Sequence, residues 1–227
     1  MDNIKELKTR AIRVLLVFIA FFIIGLYFHR TILDYMKAII PQDFLFIIPN
    51  PIVSFSILMN IAFLFAIILT MPYLIYNLIR FIAPALTQNE RGKIKVYFSL
   101  SLILFFAGVM FNILIILGMG IPFLVDLSQS MGLTILWNME EYINFIIIST
   151  LIFGLIFQFP IILHLLIKAG IVDLQTLRGN RLPAFAIIIL LSAIVTPTTD
   201  AITMLLLAIP LFLMYEGVIR MNGGEKI

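Results

Sequence analysis

Residues 52–79 read IVSFSILMNIAFLFAIILTMPYLIYNLI, without one charged side chain. A membrane-crossing α-helix needs about 20 mostly apolar residues, so this run is long enough to span a bilayer. Other runs of the same kind lie on either side. The first covers roughly Ala11 to Phe28. A mixed stretch follows, His29 to Asn50, broken by Pro41, Pro49 and Pro51. A third span is expected from about Val96 to Leu117, closed by Gly118, Gly120 and Pro122, with a loop carrying Asp126, Glu140 and Glu141 behind it. The fourth runs roughly from Tyr142 to Ile167, the fifth from Leu182 to Val195 and the sixth from Ala201 to Tyr215.

Composition excludes a soluble alternative. The chain has 227 residues, 63% hydrophobic and only 12% charged, whereas soluble domains carry roughly 45–50% apolar and about 25% charged residues. So few charges cannot cover so much apolar surface in water, and the remaining solvent is the bilayer. The fold class expected is an all-α membrane protein of six transmembrane helices in a single domain over residues 1–227. Pro72, Pro160 and Pro210 would kink the helices and curve the bundle into a concave shape. The last two spans are short: about 15 residues reach only about 22 Å against a core of about 30 Å, which suits locally thinned membrane. No cleavable signal sequence or transit peptide is legible, which favours a bacterial or archaeal cell membrane.

Orientation follows the basic residues. Lys5, Lys8, Arg10 and Arg13, then Arg80, Arg91, Lys93 and Lys95, then Lys168, Arg178 and Arg181, and finally Arg220 and Lys226 fall on one side. Those are 13 of the 15 lysines and arginines, and only Arg30 and Lys37 fall on the other. Six spans with both termini cytoplasmic fit this asymmetry, and an odd number would not.

Enzyme constellations are missing from the sequence. No histidine pair has helical metal-ligand spacing, and there is no P-loop, dinucleotide fingerprint or nucleophile motif. Without cysteine there is no disulfide or thiolate metal site. Neither a cofactor nor a metal is expected, and nothing points to nucleic acid. Polar residues inside spans mark function by default. Gln158, two residues before the kinking Pro160, is the clearest. It either faces a cavity or an incoming helix, or it holds the bundle together. Asn60, Asn77 and Asn112 read as structural. On the basic side stand two carboxylates, Glu6 and Glu90. Each is either a solvated salt bridge or a receptor for a guanidinium, which a carboxylate binds through a two-pronged contact.

Four motifs, in order along nearly the whole chain, resemble the TatC family, the multi-spanning core of the twin-arginine protein translocase. Phe81-Ile82-Ala83-Pro84-Ala85-Leu86 with Asn89-Glu90-Arg91 is similar to the family's Phe-x-x-Pro-x-Leu-x-x-x-Glu-Arg, and Pro72 and Tyr76 also fit. Phe153-Gly154, Phe157-Gln158 and Pro160 form the second motif, and Thr196-Pro197, Asp200, Ala208-Ile209-Pro210 and Tyr215-Glu216 the third. The fourth, Glu6-Leu7-Lys8-Thr9-Arg10, resembles His-Leu-x-Glu-Leu-Arg-x-Arg. The resemblance implies a receptor for twin-arginine signal peptides on folded cargo, working with single-span TatA- and TatB-type subunits, oligomeric, and energised by the proton-motive force. It implies that Glu6 and Glu90 contact the signal arginines, with Phe81 and Arg91 at that site. Gln158, where the family often has glutamate, and Pro160 would lie on the concave face, and Asp200 in the turn between spans five and six. Asn3 and Lys8 depart from the family's usual histidine and arginine. A small-molecule secondary transporter is the alternative, weakened by the lack of internal repeats and intramembrane charges. An intramembrane hydrolase lacks its catalytic residues.

Overall fold

The computed structural model describes residues 2–38, 45–83, 88–132, 136–195 and 201–223. In hydrocarbon every backbone N–H and C=O must find a partner within the protein, and the α-helix satisfies them within one segment. The element order is α1 (Asp2–Ala38), β1 (Leu45–Ile47), α2 (Pro51–Ile82), α3 (Gln88–Arg91), α4 (Ile94–Phe111), a π-helix (Asn112–Gly120), α5 (Ile121–Ser130), β2 (Leu136–Asn138), α6 (Met139–Ile156), α7 (Phe159–Lys168), α8 (Leu174–Gly179), α9 (Arg181–Val195) and α10 (Ala201–Gly223). Among the described residues, four helical stretches are long and apolar enough to cross a membrane: Lys8–Ala38, Pro51–Phe81, Ile94–Ser130 and Met139–Lys168. Arg181–Ile194 is a shorter apolar helix.

Several boundaries differ from the expectation. Helix α1 runs ten residues past Phe28, through His29 to Ala38. The third span does not close at Gly118, because the helix continues through the π-segment to Ser130. Neither Gly118 nor Gly120 takes a positive φ, and Pro122 lies in the first turn of α5, directly after the π-segment. Asp126 is therefore helical. The expected single break in the fourth span is present: α6 ends at Ile156, Phe157 and Gln158 form a turn, and Pro160 enters the first turn of α7. Helix α9 is short, 15 residues or about 22 Å. Helix α10 extends to Gly223, so only its apolar part is short. The two three-residue strands were not expected; they pair in parallel, with Phe46 opposite Trp137.

Chain contacts divide the molecule into two compact units, Met1–Asn77 with Phe111–Leu151, and Leu78–Met110 with Ile152–Ile227. The core of the first gathers Ile57, Ile61, Leu64, Leu117, Ile121, Tyr142, Ile143 and Ile146. Gly25 of α1 lets the α2 backbone come close: a Cβ there would stand 3.0 Å from Ala62 Cα. Lipid is as apolar as leucine, so helices associate through small residues and buried polar contacts. Such contacts join α2 to α6, where Ser56 donates to Glu140 (2.6 Å) and Asn60 to Asn144 (2.8 Å). Asn112 donates to Thr150 at 3.0 Å. Phe46, Trp137 and Phe145 surround Tyr142 or one another, and the Tyr142 hydroxyl donates to the Met36 carbonyl. Many apolar side chains face outward, including Leu16, Ile23, Ile103 and Ile194.

In the second unit α7, α8 and α9 pack on α10. Arg181 pairs with Glu216 at 2.8 Å, Tyr215 donates its hydroxyl to the Leu177 carbonyl, and Asp173 caps α8 by accepting from Thr176 N–H.

Candidate functional site

The sequence-derived site residues fall into two groups. The first comprises the residues at the connection after α2 and, separately, Glu6 of α1. Phe81 occupies the last turn of that helix and is 48% exposed. Arg91 ends the short helix α3, and its Nε–H donates to the carbonyl of Ala83 at 3.1 Å. That bond ties the two ends of the connection together; residues 84–87 lie outside the described residues. Glu90 stands next to Arg91 in α3, and Glu6 lies in the first turns of α1. The side chains of both glutamates lie outside the described residues. Near the start of α1, within the first unit, Arg10 donates to the Asn77 carbonyl of α2 (3.2 Å), and Asn77 donates to the Tyr73 carbonyl (2.7 Å). Asn77 is thus structural, as its sequence position suggested, and Arg10 fastens α1 to α2.

The second group lies at the α6–α7 break. Gln158 is 6% exposed and its amide Nε2 donates to the Ser101 carbonyl of α4 at 3.0 Å. Around it α4 and α6 approach through paired glycines. A Cβ on Gly108 would meet the Phe153 carbonyl oxygen at 2.5 Å and the Phe157 ring at 2.9 Å, while a Cβ on Gly154 would meet the Phe105 ring at 2.6 Å. The motif Phe153-Gly154, Phe157-Gln158, Pro160 is therefore first of all a packing motif. Of the two sequence readings of Gln158, this bond fits the one in which it holds the bundle together. A contact with an incoming helix would have to displace it. Asp200 lies outside the described residues.

The sequence placed Glu140 and Glu141 in a solvated loop at the start of the fourth span, where carboxylates also suit a helix N-terminus. Both lie in the first turn of α6, and Glu140 is half-buried there and accepts from Ser56. No group of three or more metal-binding side chains occurs among the described residues.

Long apolar helices, a proline-broken span and buried polar links define a multi-pass helical membrane protein. Residues 2–210 match the family model described as Sec-independent protein translocase protein (TatC). The chain is 31% identical over 220 residues to the Sec-independent protein translocase protein TatCy of Bacillus subtilis, covering 95% of this chain and 85% of the relative. It is 30% identical over 219 residues to TatC of Aquifex aeolicus, covering 95% and 90%. Its fold is similar to a crystal structure of the twin arginine translocase receptor TatC in DDM, with a TM-score of 0.84, 30% identity, and coverage of 96% of this chain and 98% of that one. The chain belongs to the TatC family. Membership in a family of protein translocase components sets aside the small-molecule transporter and the hydrolase.

Proposed function

We propose that this chain is the signal-peptide receptor and core subunit of a translocase that exports folded proteins bearing twin-arginine signals. The observation that carries this reading is the agreement of sequence and fold, along almost the entire chain, with a solved protein described as a twin arginine translocase receptor. On this reading the chain is one integral domain of six spans in the cell membrane, with both termini cytoplasmic. The division into two units supports a single domain, because each boundary between them cuts a continuous helix, α2, α4 with its π-segment, or α6. The proton-motive force supplies the energy. TatA- and TatB-type single-span subunits and further copies of the chain complete the complex.

Glu6 and Glu90 receive the two signal arginines, because a carboxylate offers a guanidinium two parallel acceptors that an ammonium cannot use as a pair. Phe81, exposed at the end of α2, supplies an apolar surface for the segment that follows the arginines. Arg91 positions the loop through Ala83 rather than touching the signal, since a cation would repel a dicationic motif. Pro160 and Asp200 serve partner or signal-peptide contacts, and Gln158 joins them only by exchanging its bond to the Ser101 carbonyl for one with the incoming helix.

The test is binding of a twin-arginine signal peptide to the purified protein in nanodiscs, with a twin-lysine peptide as control. Selective binding of the arginine peptide, weakened by Glu6→Ala and by Glu90→Ala, is expected. Equal binding of both peptides, unchanged by either substitution, refutes the roles of the two glutamates.

A further inference from the structure

The first unit holds a cavity of about 550 Å³ lined by His29, Arg30, Lys37, Phe46, Ile57 and Met139, among others. That is well within the roughly 300–1,000 Å³ of ordinary ligand pockets. Its chemistry is divided. Leu33, Phe46, Ile48, Ile57, Leu58 and Ile61 make an apolar wall, and the cations stand on α1, where residues 30, 33 and 37 share one helix face. The His29 Nδ1–H donates to the Leu26 carbonyl at 2.7 Å, which leaves Nε2 available. Both Arg30 and Lys37 are exposed.

Two further observations bear on the occupant. Arg30 and Lys37 are the two basic residues that the charge count sets apart from the other thirteen, and both line this one cavity. Arg30 also lies 22 residues beyond Lys8 on one continuous helix, about 33 Å along its axis, which is close to the ~30 Å hydrocarbon thickness. The cations therefore stand at headgroup level in the leaflet away from the N-terminal end of α1. Neither Asp34 nor Glu140 is part of the cavity lining.

We propose that this cavity binds an anionic glycerophospholipid, with the phosphate between Arg30 and Lys37 and an acyl chain against Leu33, Ile57 and Leu58. An apolar wall alone would suit any lipid. The paired cations select a headgroup with net negative charge, and each is worth on the order of a fivefold preference.

The chain's single tryptophan provides the readout. Trp137 pairs with the cavity residue Phe46 across the two strands, and both rings contact Tyr142. The protein is reconstituted in phosphatidylcholine vesicles doped with either dibrominated phosphatidylglycerol or dibrominated phosphatidylcholine, and Trp137 quenching is compared at equal mole fraction. Stronger quenching by the anionic lipid is expected. It should fall to the zwitterionic level in the double variant Arg30→Gln/Lys37→Gln, and also in Ser54→Phe, which fills the cavity and keeps both charges. Equal quenching by the two lipids in the unaltered protein overturns the proposal. A preference that survives Ser54→Phe overturns it too, because the cations would then attract lipid at the open surface. Loss of the preference on adding inorganic phosphate would assign the cations to a free anion and equally refute a bound lipid.

Discussion

Gln158 donates its side-chain amide to the main-chain carbonyl of Ser101 at 3.0 Å, tying the break between α6 and α7 to α4. Ser101 is 1% exposed and Gln158 6%, so the bond forms away from solvent. Intramembrane hydrogen bonds of this kind contribute on the order of 1 kcal/mol. Gln158→Met, which keeps the length and removes the donor, should destabilise by about that amount in thermal unfolding in detergent. Gln158→Glu should cost more at neutral pH, because an ionised carboxylate would face an acceptor. A glutamate variant as stable as the parent would show that the amide does not act as a donor here.

The two glycines of the α4–α6 contact should respond unequally to alanine. At Gly108 the added methyl meets the Phe153 carbonyl oxygen, which belongs to a helix backbone and cannot step aside. At Gly154 it meets the edge of the Phe105 ring, a side chain that can change rotamer. Overpacking costs typically about 1–3 kcal/mol. Gly108→Ala should fall at the upper end of that range and Gly154→Ala at the lower. Phe105→Leu should restore part of the loss in Gly154→Ala and none in Gly108→Ala. Equal losses, or rescue of both, would contradict the assignment.

The helices were legible because hydropathy reports directly on length in lipid: the charge-free run 52–79 lies within α2, and Pro160 marked the break after Ile156. What the sequence concealed depends on other physics. Helix α1 reaches Ala38 and the third span reaches Ser130, because a helix continues into polar sequence wherever its backbone bonds are already made, and glycine in a helix is only mildly costly. The strand pair was invisible because three residues joined to three others about 90 positions away leave no periodic trace. The π-helix likewise leaves no mark in residue type. At the site, Gln158 stood out in the sequence as a polar residue inside a span, while Phe81 was marked only by the family motif. The sequence left open whether Gln158 acts outward or inward, and that turned on Ser101, 57 positions away.

Asp173 makes the connection between α7 and α8 sensitive to acid. Its carboxylate caps α8, and the hydrogen bond from the Thr176 backbone, with help from the Gln175 backbone and the Thr176 hydroxyl, holds its pKa below the ordinary 3.8. A carboxyl depressed in the folded state adds stability above its unfolded pKa and loses it as the pH falls through the folded value. The difference in thermal midpoint between the parent and Asp173→Ala should therefore be constant near neutrality and shrink below about pH 4. A difference independent of pH down to about 3 would mean that the charge of the cap is irrelevant.

The α2–α6 contact of the first unit permits a cleaner measurement of polar association. Asn60 donates to Asn144 at 2.8 Å, and one helical turn earlier on each helix Ser56 donates to Glu140 at 2.6 Å. Each pair joins residues 84 positions apart, so neither can form before the two helices meet. If the pairs are only neighbours, the double-mutant cycle Asn60→Leu/Asn144→Leu should give a coupling near 0.6 kcal/mol, with about 1.7 kcal/mol as the ceiling for bonds within a bilayer. Repeating the cycle in a Ser56→Ala background tests cooperation. Ser56 and Asn60 occupy the same face, as do Glu140 and Asn144, and a fixed Glu140 holds the register in which Asn144 meets Asn60. Removing Ser56 frees that carboxylate and should reduce the asparagine coupling by about half. Unfolding of the four variants in both backgrounds, followed in the same detergent, supplies the numbers. A coupling unchanged by Ser56→Ala would show that the two bonds act independently and that packing of Ile57, Ile61 and Ile143, rather than the polar ladder, sets the register of these helices.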